Sequence, residues 1–260
     1  MTREVSGLVL REMIHGPGIS IPKHSHERAH VAFILRGVCA ERCERKTLEC
    51  KPLSVSFLAP GLTHSDDFGH GVHCFLVEIE PQRLERLSEA LSLDEPMFFA
   101  GGVLAWLMMR LYHEAHQTDE ASSLAVEGLS LEILAQLSRR RATVSQPKLP
   151  RWLKQATDLL HAQFPETLTH DDIANAVGVH PVHLANVFRQ HYKCTIGEYI
   201  RSLRIEHACR EISTSDASLV EIALASGFSD QSHFSKVFKR LVGMTPTQFR
   251  TNLSQTPGKP

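Results

Sequence analysis

Histidine is the residue type whose number and spacing first suggest chemistry in this chain. Sixteen of the 260 residues are histidine, and seven of them precede residue 75. His24, His26 and His30 are separated by even intervals, so on a β-strand their side chains would share one face. His64 follows a Pro-Gly pair and would reach the same place from an opposite strand. Neutral imidazoles that converge in this way suit a divalent transition metal such as zinc, iron, nickel or copper.

The second feature that could do chemistry is a helical pattern that occurs twice near the end of the chain. An acid, Ile-Ala, three further residues and Gly make up Asp172–Gly178, and the same frame returns 49 residues later at Glu221–Gly227. A glycine of this kind commonly ends a helix, and a tight turn then leads into a second helix. Each copy therefore predicts a helix-turn-helix, at about residues 170–191 and 219–241, and the two copies can face one partner.

The second helix of each copy carries positive charge. In the first copy this helix contains Arg189 and no acid. In the second copy it contains Lys236, Lys239 and Arg240, again without an acid. Such faces can approach the phosphates of a nucleic acid. Elsewhere in this region the acids nearly cancel the bases, so we expect modest affinity that depends strongly on salt.

Composition limits the classes to which the chain can belong. Its 42% hydrophobic and 22% charged residues are typical of a globular protein, and 260 residues suffice for two domains. The formal net charge of -1 excludes a broadly basic, histone-like protein. No apolar stretch reaches the ~20 residues that cross a bilayer, and the N-terminus lacks an export signal, so we expect a cytoplasmic protein without a membrane partner. The six cysteines should then be thiols.

The elements that must position these residues change in character along the chain. Residues 1–80 alternate short apolar runs with glycine and proline, which predicts an all-β sandwich or small barrel. Residues 81–141 carry apolar residues at helical spacing in two amphipathic helices, which either cover the sheet or form a dimer seam. Residues 142–150 are typical of a linker, and residues 151–251 predict an all-α domain of short helices.

Longer motifs surround the two repeats. The run Ile-Ala-Leu-Ala-Ser-Gly-Phe-Ser-Asp-Gln-Ser-His-Phe begins at Ile222, and Glu-Tyr-Ile-Arg-Ser-Leu-Arg-Ile-Glu-His-Ala begins at Glu198. With these motifs, residues 151–251 closely resemble the DNA-binding domain of AraC/XylS-type transcriptional regulators. The resemblance implies that the second helix of each copy enters the major groove, with its outward N-terminal residues at the base edges.

Position by position, the resemblance implies particular contacts. The base-facing candidates are Val182, Ala185 and Asn186 in the first copy and Gln231, Ser232, His233 and Lys236 in the second. The candidates for phosphate contact are Arg189, Lys239 and Arg240. Asn and Gln can pair with adenine and Lys with guanine, whereas Val and Ala can touch a thymine methyl. One departure concerns His180, which stands where the family commonly has a capping Ser; in the second copy Ser229 is expected to cap the helix.

The first eighty residues carry a second resemblance. Gly18-x5-His24-x-His26-x3-His30-x6-Gly37 is similar to the first cupin motif, with His30 where that motif usually has Glu, and Pro-Gly-Leu-Thr-His64 is similar to the core of the second. The resemblance implies a cupin-like barrel that binds an effector, with His24, His26, His30 and His64 as candidate metal ligands. Many sensor cupins lack the metal set, so an ordinary solvated role for these histidines stays open.

Together these observations predict a non-enzymatic, sequence-specific transcriptional regulator with no catalytic residues. The cupin-like domain would sense a small molecule or a divalent transition metal, and the chain would act as a homodimer on double-stranded promoter DNA, with RNA polymerase left open as a further partner. Two alternatives stand beside this prediction. One is a metal-dependent cupin enzyme, of dioxygenase or isomerase type, fused to a DNA-binding module, and the other is a constitutive DNA-binding dimer.

Overall fold

The computed structural model describes residues 1–43, 46–88, 93, 95–142, 150–192 and 194–254. The chain divides into two compact units with boundaries after Val144 and Leu241. The first unit comprises the N-terminal part of the chain together with the segment that follows Leu241, and the second comprises the stretch between. Residues 242–251, which the sequence predicts as part of the DNA-binding domain, group here with the first unit. Most of the predicted linker, residues 143–149, lies outside the described residues.

The first unit is built on two antiparallel sheets. Its strands, among the described residues, are β1 Thr2–Val5, β2 Leu8–His15, β3 Ile19–His24, β4 Ala29–Gly37, β5 Cys39–Cys43, β6 Lys46–Cys50, β7 Ser54–Leu58, β8 His64–Phe68, β9 Val72–Ile79 and β10 Met97–Ala100. One sheet has the strand order β1-β2-β9-β4-β7-β10 and the other has the order β3-β8-β5-β6. This is the β-rich domain that the sequence predicts.

An apolar cluster joins the two sheets. Ile34 and Cys74 of the larger sheet pack with Cys39, Cys50 and Phe68 of the smaller one. The clustering follows from the two-residue period of a strand, because alternate residues of β5 and β8 point to the same interior. The interior of the sandwich is therefore where an inward-facing polar residue would meet a bound molecule.

Helices and a late strand complete the first unit. The sequence predicts two helices in the segment 81–141, and its described residues contain three, α1 Pro81–Ser88, α2 Gly102–Ala115 and α3 Ser122–Ala142. It also contains β10, which pairs with β7 and which the sequence analysis did not foresee. The run Met-Phe-Phe-Ala is too short to show a period, so the surrounding helical pattern masked it.

A buried carboxylate ties α2 to the larger sheet. Glu12 of β2 accepts hydrogen bonds from His73 Nε2 at 2.7 Å, from Tyr112 Oη at 2.8 Å and from His116 Nε2 at 3.3 Å. Burial alone would raise the pKa of Glu12, but these hydrogen bonds outweigh it and hold the pKa well below the ordinary value. The hydrogen bond to Glu12 in turn raises the pKa of His116.

The second unit is helical. Its helices are α4 Arg151–Gln163, α5 His170–Val177, α6 Pro181–Tyr192, α7 Ile196–Thr214, α8 Leu219–Ala225 and α9 Gln231–Val242, the last of which ends at the unit boundary; α10 Pro246–Ser254 follows in the first unit. Three of these helices begin with a complete capping box, in which the Ser or Thr hydroxyl and an acid three residues later satisfy each other's backbone N–H groups. The pairs are Thr169 with Asp172, Thr195 with Glu198 and Ser218 with Glu221.

Helix α7 holds the two helix-turn-helix copies in one frame. Arg204 Nε donates to the Phe164 carbonyl at 2.8 Å, and Arg204 Nη2 donates to the Glu166 carbonyl at 2.9 Å. The same guanidinium lies 6.0 Å from the ring centre of Phe228, directly after the turn glycine of the second copy. One α7 side chain therefore contacts both the segment before α5 and the turn after α8.

Candidate functional site

Three of the four candidate metal ligands meet where β3 pairs with β8. His24 lies opposite His64 in this pairing, and His26 follows two residues after His24. One ring nitrogen from each of the three histidines lies within 4.8 Å of the other two. Nε2 of His24 is 3.1 Å from Nε2 of His26. Ligands of a tetrahedral zinc ion lie about 3.3 Å apart, so small side-chain rotations would bring the three nitrogens to one metal ion.

Backbone carbonyls hold two of these rings in a tautomer that suits metal binding. Nδ1 of His24 donates to the Pro22 carbonyl at 2.9 Å, and Nδ1 of His64 donates to the Leu62 carbonyl at 3.2 Å. A ring that donates from Nδ1 keeps an unprotonated Nε2, whose lone pair can bind a metal ion. Burial, together with the neighbouring His24 and His64 rings, lowers the pKa of His26. The surroundings of His26 therefore favour the neutral imidazole that a metal requires.

His30, the fourth candidate, packs against the cluster from β4. Its ring centre is 4.8 Å from that of His26 and 5.7 Å from that of His64. Burial and the neighbouring rings lower the pKa of His30 to about 3, which keeps this ring neutral as well. Among the described residues, the converging set of nitrogens comprises the other three histidines and not His30.

Two acids that the sequence analysis did not single out, the buried Glu41 and the half-buried Asp66, lie beside the histidines. Oδ2 of Asp66 is 3.8 Å from Nε2 of His64, and Glu41 lies opposite Asp66 in the pairing of β5 with β8. Burial raises the pKa of Asp66, and it raises the pKa of Glu41 to about 7. The two-residue period of a strand was their signal in the sequence. Glu41 lies two residues from both Cys39 and Cys43, so it shares the inward face of its strand with them. The interior is thus acidic as well as rich in histidine.

The helix α6 presents a polar face beyond its buried residues. Leu184 and Phe188 are fully buried in the core that α4 and α5 share with α6. Since side chains three and four residues apart lie on one helix face, the opposite face is left to solvent. The predicted contacts on it are Val182, Asn186 and Arg189, which are exposed, and Ala185, which is half-buried.

The helix α9 repeats this arrangement in the second copy. Phe234, Val237 and Phe238 are buried, so the face around them points inward. All six residues predicted to contact DNA are exposed: Gln231, Ser232, His233, Lys236, Lys239 and Arg240. The cationic residues among them have no acid on the same helix. Both second helices therefore offer a solvent-facing surface that suits a polyanion.

The cap of α6 is the residue that the sequence indicates, whereas the cap of α9 is a different one. The N–H group of Val182 donates to Nδ1 of His180 at 3.3 Å, so this histidine does act as a cap, with a long hydrogen bond. At the start of α9 the cap is Asp230, whose Oδ1 accepts from the His233 N–H at 2.7 Å. The expectation that Ser229 caps α9 is wrong, because its hydroxyl donates to the Asp230 carboxylate instead.

Two models of known protein families match this chain. The model of the AraC-like ligand binding domain matches residues 9–168, which is 160 of the 260 residues, and the model of a helix-turn-helix domain matches residues 173–252. The chain belongs to the AraC family of DNA-binding transcriptional regulators. This AraC-family regulator has a β-rich ligand-binding domain, followed by a helical DNA-binding domain, as the sequence predicts.

Curated relatives carry the names of transcription factors and regulators. The probable transcription factor PqrA of Proteus vulgaris is 39% identical over 87 residues, which are 34% of this chain and 71% of that protein. The transcriptional activator RhaR of Yersinia pseudotuberculosis serotype O:3 (strain YPIII) is 30% identical over 158 residues, which are 59% of this chain and 54% of RhaR. The chain thus covers little more than half of the RhaR length. These names agree with the prediction that the AraC-family chain is not an enzyme.

The chain also matches a solved structure. The crystal structure of ToxT from Vibrio cholerae covers 96% of this chain and 100% of the ToxT chain, with 12% sequence identity and a TM-score of 0.43. Within the residues that the structure describes, none of the helices combines the length and the apolar character needed to span a membrane.

Proposed function

We propose that this AraC-family regulator reads promoter DNA with α6 and α9 and adjusts that binding to an effector held by its N-terminal unit. The observation that carries the proposal is the pair of acid-free, solvent-facing helix surfaces joined by α7. If both helices read one face of a duplex, their sites are roughly 34 Å apart, one helical turn. We infer that the regulator works in the cytoplasm, where promoter DNA and RNA polymerase are found.

The two kinds of contact separate by position on the helices. Asn186 of α6 and Gln231 of α9 lie towards the N-terminal ends that enter the groove, and both can form paired hydrogen bonds with adenine. Arg189 lies one turn further along α6 and offers a charge to the phosphates, which carry no sequence information. Specificity would therefore reside in the amides and overall affinity in the charges.

Substitutions that remove one contact at a time test this division. Gln231→Ala should remove about 1 to 3 kcal/mol of the discrimination between a selected and a random duplex. Arg189→Ala should weaken binding about equally on both duplexes and reduce the slope of log affinity against log salt by about one. Fluorescence anisotropy over a salt series measures both quantities. Equal losses of Gln231→Ala on selected and random DNA would overturn the assignment.

For the effector we propose a divalent transition metal ion held by His24, His26 and His64. The anchored tautomers of two rings and the lowered pKa of His26 support it, and Asp66 beside His64 would balance part of the ion's charge. His30 would border the site. The ion would link the β3 and β8 strands. Because it would bind one conformation of the regulator more tightly than the other, it would shift the protein towards that conformation and so change the affinity for DNA.

Elemental analysis of the purified protein tests the metal site. The untreated protein should contain one zinc, iron, nickel or copper ion per chain, and His64→Ala should lose it. His70→Ala, which removes an exposed histidine of the same unit outside the cluster, is the matched control and should retain the metal. Metal-free protein that binds DNA as the untreated protein does would contradict the proposal and direct the search to an organic effector or to a constitutive dimer.

The homodimer would form along α3. On this helix Leu124 is 74% exposed and Leu131 is 42% exposed, and an added Cβ at Gly128 would meet no atom within 4 Å. Residues 124, 128 and 131 share one helix face, so the surface between the two leucines is open to a second chain. Leu124→Glu should shift the protein to monomer in sedimentation velocity, whereas an unchanged dimer would exclude this face.

A further inference from the structure

A second polar site lies outside the histidine cluster, where α1 approaches the β1–β2 turn and α3. Arg83 of α1 is buried there, with 8% of its side chain exposed. Its Nη1 donates to the carbonyl oxygen of Ser6 and lies 3.4 Å from Oε1 of Glu127 on α3. The hydroxyl of Ser6 donates to the other oxygen of Glu127 at 3.2 Å. One edge of the guanidinium is thus fully used.

The other edge of the same guanidinium is not used. Nε and Nη2 of Arg83 are both buried, and neither has a hydrogen-bond partner among the described residues. These two nitrogens form the side of the guanidinium that binds a carboxylate with two parallel hydrogen bonds. A buried N–H group without a partner is costly, so this pair of donors favours an anionic acceptor.

A cavity of about 400 Å³ is lined in part by Arg83. It is lined by Ser6, Arg83, Arg86, Glu127 and Leu131. The two arginines and the one glutamate leave a local charge of +1, which suits a singly charged anion better than a doubly charged one. Leu131, 42% exposed, gives the wall an apolar part. The volume is in the range of pockets that hold small organic molecules.

From this geometry we propose that the cavity binds an organic monocarboxylate, with the carboxylate on the side-on edge of Arg83 and beside Arg86. Nε and Nη2 of Arg83 are buried by the surrounding atoms. The long Arg83 side chain would therefore move towards the cavity when the carboxylate binds. An apolar body of the ligand would lie against Leu131. This effector site is separate from the cluster of His24, His26 and His64.

The site also connects a ligand to dimer formation. Leu131 belongs both to the cavity wall and to the exposed face of α3, and Glu127 reaches the cavity from the same helix. A carboxylate ligand would lie close to the negative charge of Glu127 and would cover part of Leu131. This consequence rests on the proposed α3 dimer, whereas binding of the carboxylate does not.

Isothermal titration calorimetry of the full-length protein tests the site directly. Benzoate and hexanoate are the probes, acetate tests the apolar wall, and phosphate and chloride test the class of anion. We expect saturable binding of benzoate or hexanoate that is stronger than binding of acetate and phosphate. Phosphate that binds as well as the carboxylates, or no carboxylate binding at millimolar concentration, would overturn the proposal.

Variants of the charged residues locate the binding. Arg86→Ala should weaken binding about tenfold to a hundredfold, because a charge-assisted contact is lost. Glu127→Gln should strengthen binding, because a negative charge beside the bound carboxylate is removed. Arg83→Lys should abolish binding, because an ammonium cannot form the side-on pair. Arg36→Ala, at an exposed arginine of β4, is the control and should bind as the original protein does.

The outcomes separate this site from the proposed regulator function. If Arg83→Lys fails to fold by circular dichroism, the exposed Arg86 and the partly exposed Glu127 still decide the matter. Unchanged affinity in both Arg86→Ala and Glu127→Gln would reject the site. Sedimentation velocity with and without benzoate then tests the link to the dimer separately, so a failed α3 dimer would leave the calorimetric result intact.

Discussion

Two glycines in equivalent positions allow a test of how the helix-turn-helix copies are held together. Gly178 and Gly227 both follow the first helix of a copy and both adopt the left-handed conformation, with φ of 72° and 82°. A Cβ atom added at Gly178 would meet no atom within 4 Å. A Cβ atom added at Gly227 would lie 2.3 Å from the carbonyl oxygen of Pro165 and 2.7 Å from its Cα atom. Both positions therefore require a left-handed backbone, but an added Cβ would collide with Pro165 at Gly227 and with nothing at Gly178.

The expected magnitudes follow from this difference. Alanine in the left-handed region costs roughly 1 to 2 kcal/mol, and this is the full loss expected for Gly178→Ala. Gly227→Ala carries the same cost together with a backbone collision, and forced overpacking adds about 1 to 3 kcal/mol. For a unit of this size, each further kcal/mol lowers the unfolding midpoint by roughly 4 to 8 °C. Gly227→Ala should therefore unfold at least about 4 °C below Gly178→Ala.

Tryptophan fluorescence can report this difference for the helical unit alone. The sequence contains two tryptophans, so in a Trp106→Phe background Trp152 of α4 is the remaining one. Thermal unfolding of Gly178→Ala and Gly227→Ala would be compared in that background. Equal midpoints, or a larger loss for Gly178→Ala, would refute the view that the turn of the second copy packs tightly against the segment before α5.

Three further predictions concern other parts of the chain. Glu12 stabilises the fold above its ordinary pKa of 4.5. The stabilisation by His116, whose pKa is raised above 6.5, is complete below 6.5 and is lost as the pH rises through the raised pKa. The unfolding midpoint of the first unit should therefore fall as the pH rises above 6.5, and Glu12→Gln should reduce this fall. None of the six cysteines, all of them described, forms a disulfide, and Cys194 is the least buried of them. A thiol reagent should consequently modify Cys194 first in the native protein, and increasingly so with pH, because burial raises its pKa; a first reaction at any other cysteine, mapped by mass spectrometry, would contradict this. Arg204→Lys keeps the charge but loses the paired hydrogen bonds, so DNA affinity should fall about tenfold with an unchanged salt slope; a changed slope would indicate a direct phosphate contact.

The helical unit was largely predictable because its signals are local. The acid-Ile-Ala frame, the glycine that ends each first helix and the capping pairs such as Ser218 with Glu221 all lie within a few residues of one another. Such signals need no knowledge of tertiary structure. The same locality explains the one wrong cap, since Ser229 and Asp230 are adjacent and either could serve until their geometry is known.

The first unit was harder to predict because its site depends on strand register. The even spacing of His24 and His26 is visible in the sequence, but the pairing that sets His64 opposite His24 is a long-range contact. Asp66 and Glu41 were missed because acids seldom occupy inward-facing strand positions, and these positions appear only when β5 and β8 are aligned. Strand β10 depends in the same way on its partner β7.

Hydroxyl-radical footprinting tests the central claim, that α6 and α9 of one chain read DNA together. The duplex would be one selected from a random pool by the full-length protein. We expect two protected segments per chain, roughly 34 Å apart on one face, with Asn186→Ala losing protection at one segment and Gln231→Ala at the other. A single protected segment, or two variants that weaken the same segment, would contradict it.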